Sequence, residues 1–371
     1  MVKRVAFAVP GDLSTPTGGY AYDRRMITEL QKLGWQVVVI GLGDGFPRPD
    51  AATKAAARDK LAGVPKDCPI VVDGLALGVL PEAAKELRER NLLLALVHHP
   101  LALETGLAPA DAQALRTSEY DALAAVRGVV VNSPSTSQLL VDDYDVPPDL
   151  ITIACPGTDR GEIAQGSSDG VVRLVSVGAV VPRKGFDVLI EALAPLKNLP
   201  WRLTIAGDRT RDEVTAAQLD ADIASHGLAD RVDVLGALPA DRVAALYVAA
   251  DMFVLASRFE GYGMAYAEAL AHGLPVVGTT AGAIPDTVPP NAGVLVEPND
   301  VKALTRTLRM LIENPKERQW FASGALAALY RQALDLAGLA VRMVDADEAV
   351  RAGLIEAARE NGMIARNGVT A

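Results

Sequence analysis

The sequence has few of the residues that build metal centres or disulfide frameworks. It contains two cysteines, Cys68 and Cys155, and four histidines in 371 residues. The two cysteines lack metal-ligand spacing and are too few for a disulfide scaffold. With so few histidines, no structural zinc motif can be assembled either. We therefore expect no bound metal, no disulfide-stabilised fold and a cytoplasmic location.

Excess positive charge and long apolar runs are also missing. Lys and Arg number 36 against 46 Asp and Glu, a net charge of −10 that argues against nucleic acid as a partner. No apolar run approaches the ~18 residues of a membrane span, and the first residues lead into a strand pattern instead of a signal peptide. Residues 1–34 carry five basic and three acidic side chains, which gives peripheral membrane contact only weak support.

The composition is that of a folded globular protein, with 50% hydrophobic and 22% charged residues. Short β-branched runs bounded by Gly or Pro alternate with longer Ala/Leu/Glu-rich segments that have helical spacing. This alternation predicts an α/β fold with parallel sheets. The predicted strands are residues 5–9, 36–42, 70–73, 93–98, 128–132, 151–153, 171–177, 202–206, 232–235, 252–256, 275–278 and 293–296.

A polar, Gly/Ser-rich stretch from Cys155 to Gly170 interrupts the series and is typical of an interdomain linker. We predict an N-terminal Rossmann-like domain over 1–160, a second over 171–335 and a helical tail over 336–371 whose packing stays open. The two doubly wound domains are expected to face a cleft. Chemistry is then expected in the loops that follow the strands, because ligands of open α/β sheets bind at the carboxyl ends.

Two loops of the first domain could hold a ligand. Gly18 and Gly19 open a helix, where backbone N–H groups and the helix dipole favour an anion, although a tight turn alone would also require glycine. His98 and His99 follow the fourth strand, and since side chains alternate, one should point to the cleft. The alternatives are a capping or core role, or a paired metal site, against which adjacent residues that rarely converge on one ion argue. Neither the dinucleotide fingerprint nor the P-loop pattern occurs in the sequence.

In the second domain, Arg183 and Lys184 lie in a Gly/Pro-bounded loop and could clamp a phosphate, or could be solvated loop residues.

The segment Ser257–Val277 is more informative. Glycines precede a helix whose N–H groups can bind a diphosphate, and Glu260 and Glu268 flank that site. Carboxylates beside a phosphate make chemical sense if they accept hydrogen bonds from sugar or ribose hydroxyls. His226 and His272 are expected at the surface or at helix ends.

The Glu-x7-Glu pattern of Glu260 and Glu268, followed by Gly273–Val277, resembles the retaining glycosyltransferases of family 4. That family has the GT-B fold and uses a nucleotide diphosphosugar. The resemblance runs from about Val5 to Leu311 and implies that Lys184 and Arg183 neutralise the donor diphosphate. It further implies that Glu260 contacts the donor sugar, Glu268 holds the ribose and His98 faces the sugar. The other positions that we expect to bind the donor are Gly18, Gly19, Gly178, Gly207, Asp208, Leu238, Gly261, Tyr262, Gly263 and Met264.

Two positions depart from the family pattern. Many members have Arg directly after the glycine at 178, where this chain has Ala179, so we assign the clamp to Arg183. Members commonly have two glycines where only Gly282 remains here.

The expected activity is metal-independent transfer of a UDP- or GDP-linked hexose to a hydroxyl-bearing acceptor, without a cofactor. The alternatives are a nucleotide-sugar epimerase or hydrolase on the same fold, and a non-catalytic nucleotide-sugar-binding subunit.

Overall fold

The computed structural model describes residues 3–15, 17–104 and 106–342, with side chains as far as residue 328 in the last helix. Two compact units divide the chain. The second unit is Pro156–Tyr330, and residues 3–155 and 331–342 group into the first. Beyond residue 342, the tail predicted over 336–371 lies outside the described residues.

The first unit is a six-stranded parallel sheet flanked by helices, with strand order β2-β1-β3-β4-β5-β6. Its strands are β1 Arg4–Val9, β2 Gln36–Gly41, β3 Ile70–Asp73, β4 Leu93–Val97, β5 Gly128–Val131 and β6 Ile151–Ile153. Its helices are α1 Gly18–Lys32, α2 Ala51–Ala62, α3 Gly74–Leu77, α4 Pro81–Arg88, α5 Pro109–Leu123 and α6 Pro134–Tyr144. The order reverses between β1 and β3, so the carboxyl ends of these two neighbours form the switch point where ligands bind in such sheets.

The second unit repeats the architecture with strand order β12-β11-β10-β7-β8-β9, again all parallel. Its strands are β7 Val172–Val177, β8 Trp201–Ala206, β9 Val232–Val234, β10 Met252–Val254, β11 Val276–Thr279 and β12 Gly293–Val296. Its helices are α7 Phe186–Leu193, α8 Glu213–Ser225, α9 Ala240–Ala249, α10 Met264–Ala271, α11 Ile284–Thr287, α12 Val301–Glu313 and α13 Pro315–Arg342. Here the switch point lies between β7 and β10.

All twelve predicted strands are present, and the α/β prediction of two doubly wound sheets is confirmed. The strands are recognisable because a parallel strand covered on both faces needs a nearly continuous apolar run. Helix starts are marked by polar caps whose side chains accept a hydrogen bond from a first-turn amide, which stabilises each helix by about 1 kcal/mol. Among the described residues, six helices have such a cap, formed by Thr17, Asp50, Asp73, Ser133, Asp212 and Asp300.

The polar stretch before β7 belongs to the second unit from Pro156 onward. Its backbone N–H groups at Ala164 and Gln165 donate to the carbonyls of His272 and Val248, each at 2.8 Å. The Ser167 N–H donates to the Asp251 carboxylate at 3.0 Å. The stretch has no helix or strand, and these hydrogen bonds hold it to the rest of the second unit. Among the described residues, no helix is long and apolar enough to cross a membrane.

Candidate functional site

Two loops meet at the switch point of the second sheet. Strands β7 and β10 are hydrogen-bonded neighbours although they are far apart in sequence, with Leu174 beside Met252. The loop after β7 contains a short 3-10 turn, Pro182–Lys184, and the loop after β10 runs from Leu255 to Gly263. Because both strands end at the same edge, the predicted cations and the predicted carboxylate come together there.

Glu260 is the centre of this contact and is only 6% exposed. Its Oε1 accepts hydrogen bonds from Lys184 Nζ at 2.6 Å and from Ser257 Oγ at 2.7 Å. Its Oε2 accepts from an Arg183 guanidinium nitrogen at 3.1 Å. Burial alone would raise the pKa of Glu260, but the charges of Lys184 and Arg183 outweigh it and lower the pKa to about 2. Glu260 is therefore ionised at neutral pH.

Close backbone approaches fix the loops around this cluster. A Cβ on Gly185, whose φ is +64°, would lie 2.0 Å from the carbonyl oxygen of Ala256. A Cβ on Gly282 would lie 2.3 Å from the carbonyl oxygen of Glu260. Both contacts are far inside van der Waals distance, so only glycine fits. The remaining glycine of the loop after β11 thus supports the backbone of Glu260 directly.

Ser257 and Arg258 belong to the same cluster, and our sequence reasoning assigned them no role. Arg258 donates to both carboxylate oxygens of Asp187, at 3.0 and 2.6 Å, and to the carbonyl of Pro182. Its backbone N–H donates to the Arg183 carbonyl at 2.7 Å. Arg258 thereby joins the two loops that carry the charged residues. Its position a few residues after a buried strand was the sequence signal.

The loop after β10 ends at the start of α10. Gly263 is the N-cap residue with φ +92°, and Met264 begins the helix. Tyr262 is buried, and its hydroxyl donates to the Pro156 carbonyl at 3.2 Å. Gly261 and Gly263 lie in the turn between Glu260 and the helix. The predicted sequence of carboxylate, glycine turn and helix start is present, and the N-terminus of a helix favours an anion.

Glu268 lies one turn into α10 and is half-buried. Its Oε2 accepts a hydrogen bond from the Tyr247 hydroxyl at 3.1 Å, and burial raises its pKa. The Tyr247 ring stacks on His272 with 5.1 Å between ring centroids. His272 ends α10, as expected, but it is buried rather than at the surface, and its Nδ1 lies 2.6 Å from the Glu162 carbonyl oxygen. The helix-end alternative therefore holds, and His272 is buried because the polar stretch covers this helix end.

The turns after β7 and β8 touch each other. A Cβ on Gly207 would lie 1.8 Å from the carbonyl oxygen of Gly178, which requires glycine at 207. The aliphatic chain of Lys184 covers Gly178, with Cε 3.1 Å from the position of a Cβ there. Asp208 accepts from the Thr210 N–H and hydroxyl, both at 2.8 Å, and these bonds lower its pKa. Leu238 is half-buried in the loop after β9.

The first unit places His98 beside its own switch point, after the strand next to β3. His98 directly follows β4, and its Nε2 lies 3.1 Å from Asp23 Oδ1 and 3.5 Å from Asp73 Oδ2. Gly18 and Gly19 open α1, and a Cβ on Gly19 would lie 3.5 Å from the His98 ring. His99 instead pairs with Glu104 at 3.3 Å. Our sequence reasoning did not single out Asp23 or Asp73.

The sequence pattern of one family, described as glycosyl transferases group 1, matches residues 162–326. An MMP α-(1→4)-mannosyltransferase from Mycolicibacterium hassiacum is 30% identical over 293 residues, which cover 74% of this chain and 68% of that protein. The chain belongs to the glycosyl transferases group 1 family. A D-inositol 3-phosphate glycosyltransferase from Streptosporangium roseum is 30% identical over 54% of this chain and 50% of its own length.

Solved glycosyltransferase structures share the fold. Sucrose-phosphate synthase from Thermosynechococcus elongatus superposes with a TM-score of 0.75 at 19% identity, covering 91% of this chain and 97% of that one. Anabaena HepE in complex with UDP-glucose gives a TM-score of 0.66 at 18% identity over 96% and 98% of the two chains. The predicted GT-B fold and glycosyltransferase activity are therefore confirmed.

Proposed function

We propose that this glycosyltransferase is a retaining enzyme of family 4 that transfers a hexose from a UDP- or GDP-linked donor to a hydroxyl of its acceptor without a metal ion. The donor diphosphate binds beside Arg183, Lys184 and the start of α10. Glu260 faces the transferred sugar, and Glu268 holds the ribose. The acceptor is a hydroxyl-bearing glycan, lipid or small molecule.

The charge balance around Glu260 carries this proposal. Two cations, Arg183 and Lys184, pair with the one carboxylate of Glu260, which leaves an excess of one positive charge within these three side chains. The charge of Lys184 also acts on Glu268 in the next helix. That excess lies in the loop next to the N-terminus of α10, whose dipole adds partial positive charge. Preorganised positive charge is what a departing nucleoside diphosphate requires, and in this site it replaces a divalent ion. Glu260 itself is positioned to stabilise positive charge on the sugar ring.

The relatives support the finer assignments. The name of the mannosyltransferase from Mycolicibacterium hassiacum specifies an α-(1→4) linkage. Common nucleotide hexoses such as UDP-glucose and GDP-mannose carry an α-linked sugar, so an α-linked product from such a donor requires retention. HepE was crystallised with UDP-glucose. The name of the Streptosporangium roseum relative supports a polyhydroxylated acceptor.

The test is transfer by the purified full chain with UDP-glucose and GDP-mannose against a panel of sugar and inositol acceptors, with and without phosphate. We expect an α-linked product, unchanged turnover in EDTA, and loss of nucleoside diphosphate affinity in Lys184→Ala. Lys302→Ala is the matched control, because Lys302 is exposed on α12. A donor at 100 times its dissociation constant should stabilise the protein by about 2.7 kcal/mol.

Each alternative gives a different result in the same assay. A β-linked product would overturn retention, and loss of turnover in EDTA restored by Mg²⁺ would overturn the metal-free diphosphate site. Free sugar without transfer would indicate a hydrolase, and an isomerised donor an epimerase. Donor binding with no turnover on any acceptor would indicate a binding subunit.

A further inference from the structure

Three titratable side chains converge at the switch point of the first unit. Asp23 projects from α1, Asp73 ends β3 and His98 follows β4. One carboxylate oxygen of each aspartate and one ring nitrogen of His98 all lie within 4.8 Å of one another. Asp23 is fully buried and Asp73 is 2% exposed. Among the described residues, no donor reaches Asp23 Oδ2, and the Asp23 and Asp73 carboxyl groups are hydrogen-bond neighbours of each other.

Two buried carboxylates in contact need a positive charge between them, because a buried unpaired charge is strongly unfavourable. The charged groups that face His98 in the described part of the unit are Asp23 and Asp73, and Tyr22 lies edge-on at 5.6 Å between ring centroids. Nε2 of His98 is within 3.5 Å of both carboxylates. A lone pair on this nitrogen would point at two anions, whereas an N–H donates to them.

The protonation of the ring follows from the same contacts. Burial opposes a charge on His98, but the hydrogen bonds and charges of Asp23 and Asp73 outweigh burial and raise the pKa of His98 to about 10. Burial, followed by the nearby Asp73 charge, raises the pKa of Asp23 to about 6 even though His98 lowers it. The cluster therefore contains an imidazolium at neutral pH.

We propose that Asp23 and Asp73 are positioning residues that hold the His98 ring protonated, with Nε2 committed to both carboxylates and the Nδ1–H as a fixed donor to a substrate oxygen. In imidazolium both ring nitrogens are donors, so the two aspartates fix the ring's orientation as well as its charge. The contact between His98 and a substrate rests on the proposed function, whereas the protonation of His98 is independent of it.

The direct test is NMR of the full chain labelled in its histidine rings. The protein has four histidines, so spectra of His98→Gln, His99→Gln and His226→Gln variants assign the signals. We expect His98 to keep imidazolium shifts from pH 6 to 8.5 in the wild type and to titrate closer to its ordinary pKa in Asp23→Asn and in Asp73→Asn. Asp44→Asn, at an exposed carboxylate after β2, is the matched control and should leave His98 protonated.

A merely structural role would not change the pH profile. In Asp23→Asn, turnover should fall about tenfold per pH unit above the new pKa, whereas wild-type turnover should show no such fall up to pH 8.5. Wild-type His98 that titrates near 6.5 would overturn the proposal, whether or not the variants fold. So would stoichiometric binding of Zn²⁺ or Mn²⁺ that is lost in Asp23→Asn, since a metal would then replace the proton.

Failure of the proposed function is distinguishable from failure of this proposal. If no sugar is transferred at any pH but His98 remains protonated, the substrate assignment fails and the positioning role of the aspartates stands. If transfer occurs and His98 titrates normally, the aspartates have no such role.

Discussion

Replacing Glu260 by Gln removes the negative charge beside Lys184 and Arg183 and keeps the shape of the side chain. The pKa of Glu260 is about 2 in the folded protein against 4.5 ordinarily. Since one pKa unit corresponds to about 1.4 kcal/mol, the ionised carboxylate contributes roughly 3 kcal/mol to folding. Removing one partner of a buried ion pair costs about 3–5 kcal/mol, and we expect the lower end because the Gln oxygen still accepts from Ser257.

The assay is urea and thermal unfolding of the full chain between pH 4 and 8. About 3 kcal/mol corresponds to a fall in Tm of roughly 6–12 °C for a unit of this size. Because a lowered pKa stabilises the folded state above the unfolded value, the deficit of Glu260→Gln should be constant from pH 5 to 8. It should begin to shrink below pH 4.5, as wild-type stability is lost toward the folded pKa of about 2.

Nucleotide binding and catalysis should separate in the same variant. UDP or GDP should still bind Glu260→Gln, because both cations remain and their counter-charge is gone. Turnover should fall by ~10²-fold, the effect of removing one preorganised electrostatic partner. Glu191→Gln, at an exposed position on α7, is the matched control and should stay within about 0.5 kcal/mol of wild type. A Glu260→Gln protein equally stable at pH 7 would refute the role of Glu260 as counter-charge.

Two further outcomes are expected. Tyr247→Phe removes the hydrogen bond to Glu268 and should raise the donor KM about 3- to 10-fold with little change in kcat. Glu268→Gln should have the same effect. A fall in kcat alone would contradict the role of Glu268 in holding the ribose. Burial raises the pKa of Glu119 to about 7, so the free energy of unfolding should fall by up to about 3 kcal/mol as pH rises from 4.5 to 7. Urea unfolding at pH 5 and 8 should show a smaller fall in the free energy of unfolding for Glu119→Gln than for wild type. An equal fall in the two proteins would contradict the raised pKa of Glu119.

The strands and the loops that follow them could be predicted from the sequence. Strands β3, β6 and β12 have the predicted limits, β11 is shifted by one residue, and the others differ by one or two residues at one end. The run of residues 260–268 also indicated carboxylates around a glycine turn and a helix start. These features depend on neighbours in the chain, because apolar periodicity and turn chemistry act over a few residues.

Only the tertiary structure decided which charged residues pair. Lys184 and Glu260 are 76 residues apart in sequence, and they meet because β10 lies beside β7. Asp23 and Asp73 were not predicted, since a single aspartate in a helix or at a strand end forms no local pattern. Their importance arises from burial beside His98, where low polarity makes each charge depend on its partners. Strand order and burial are properties of the whole fold, and they convert isolated residues into a charged site.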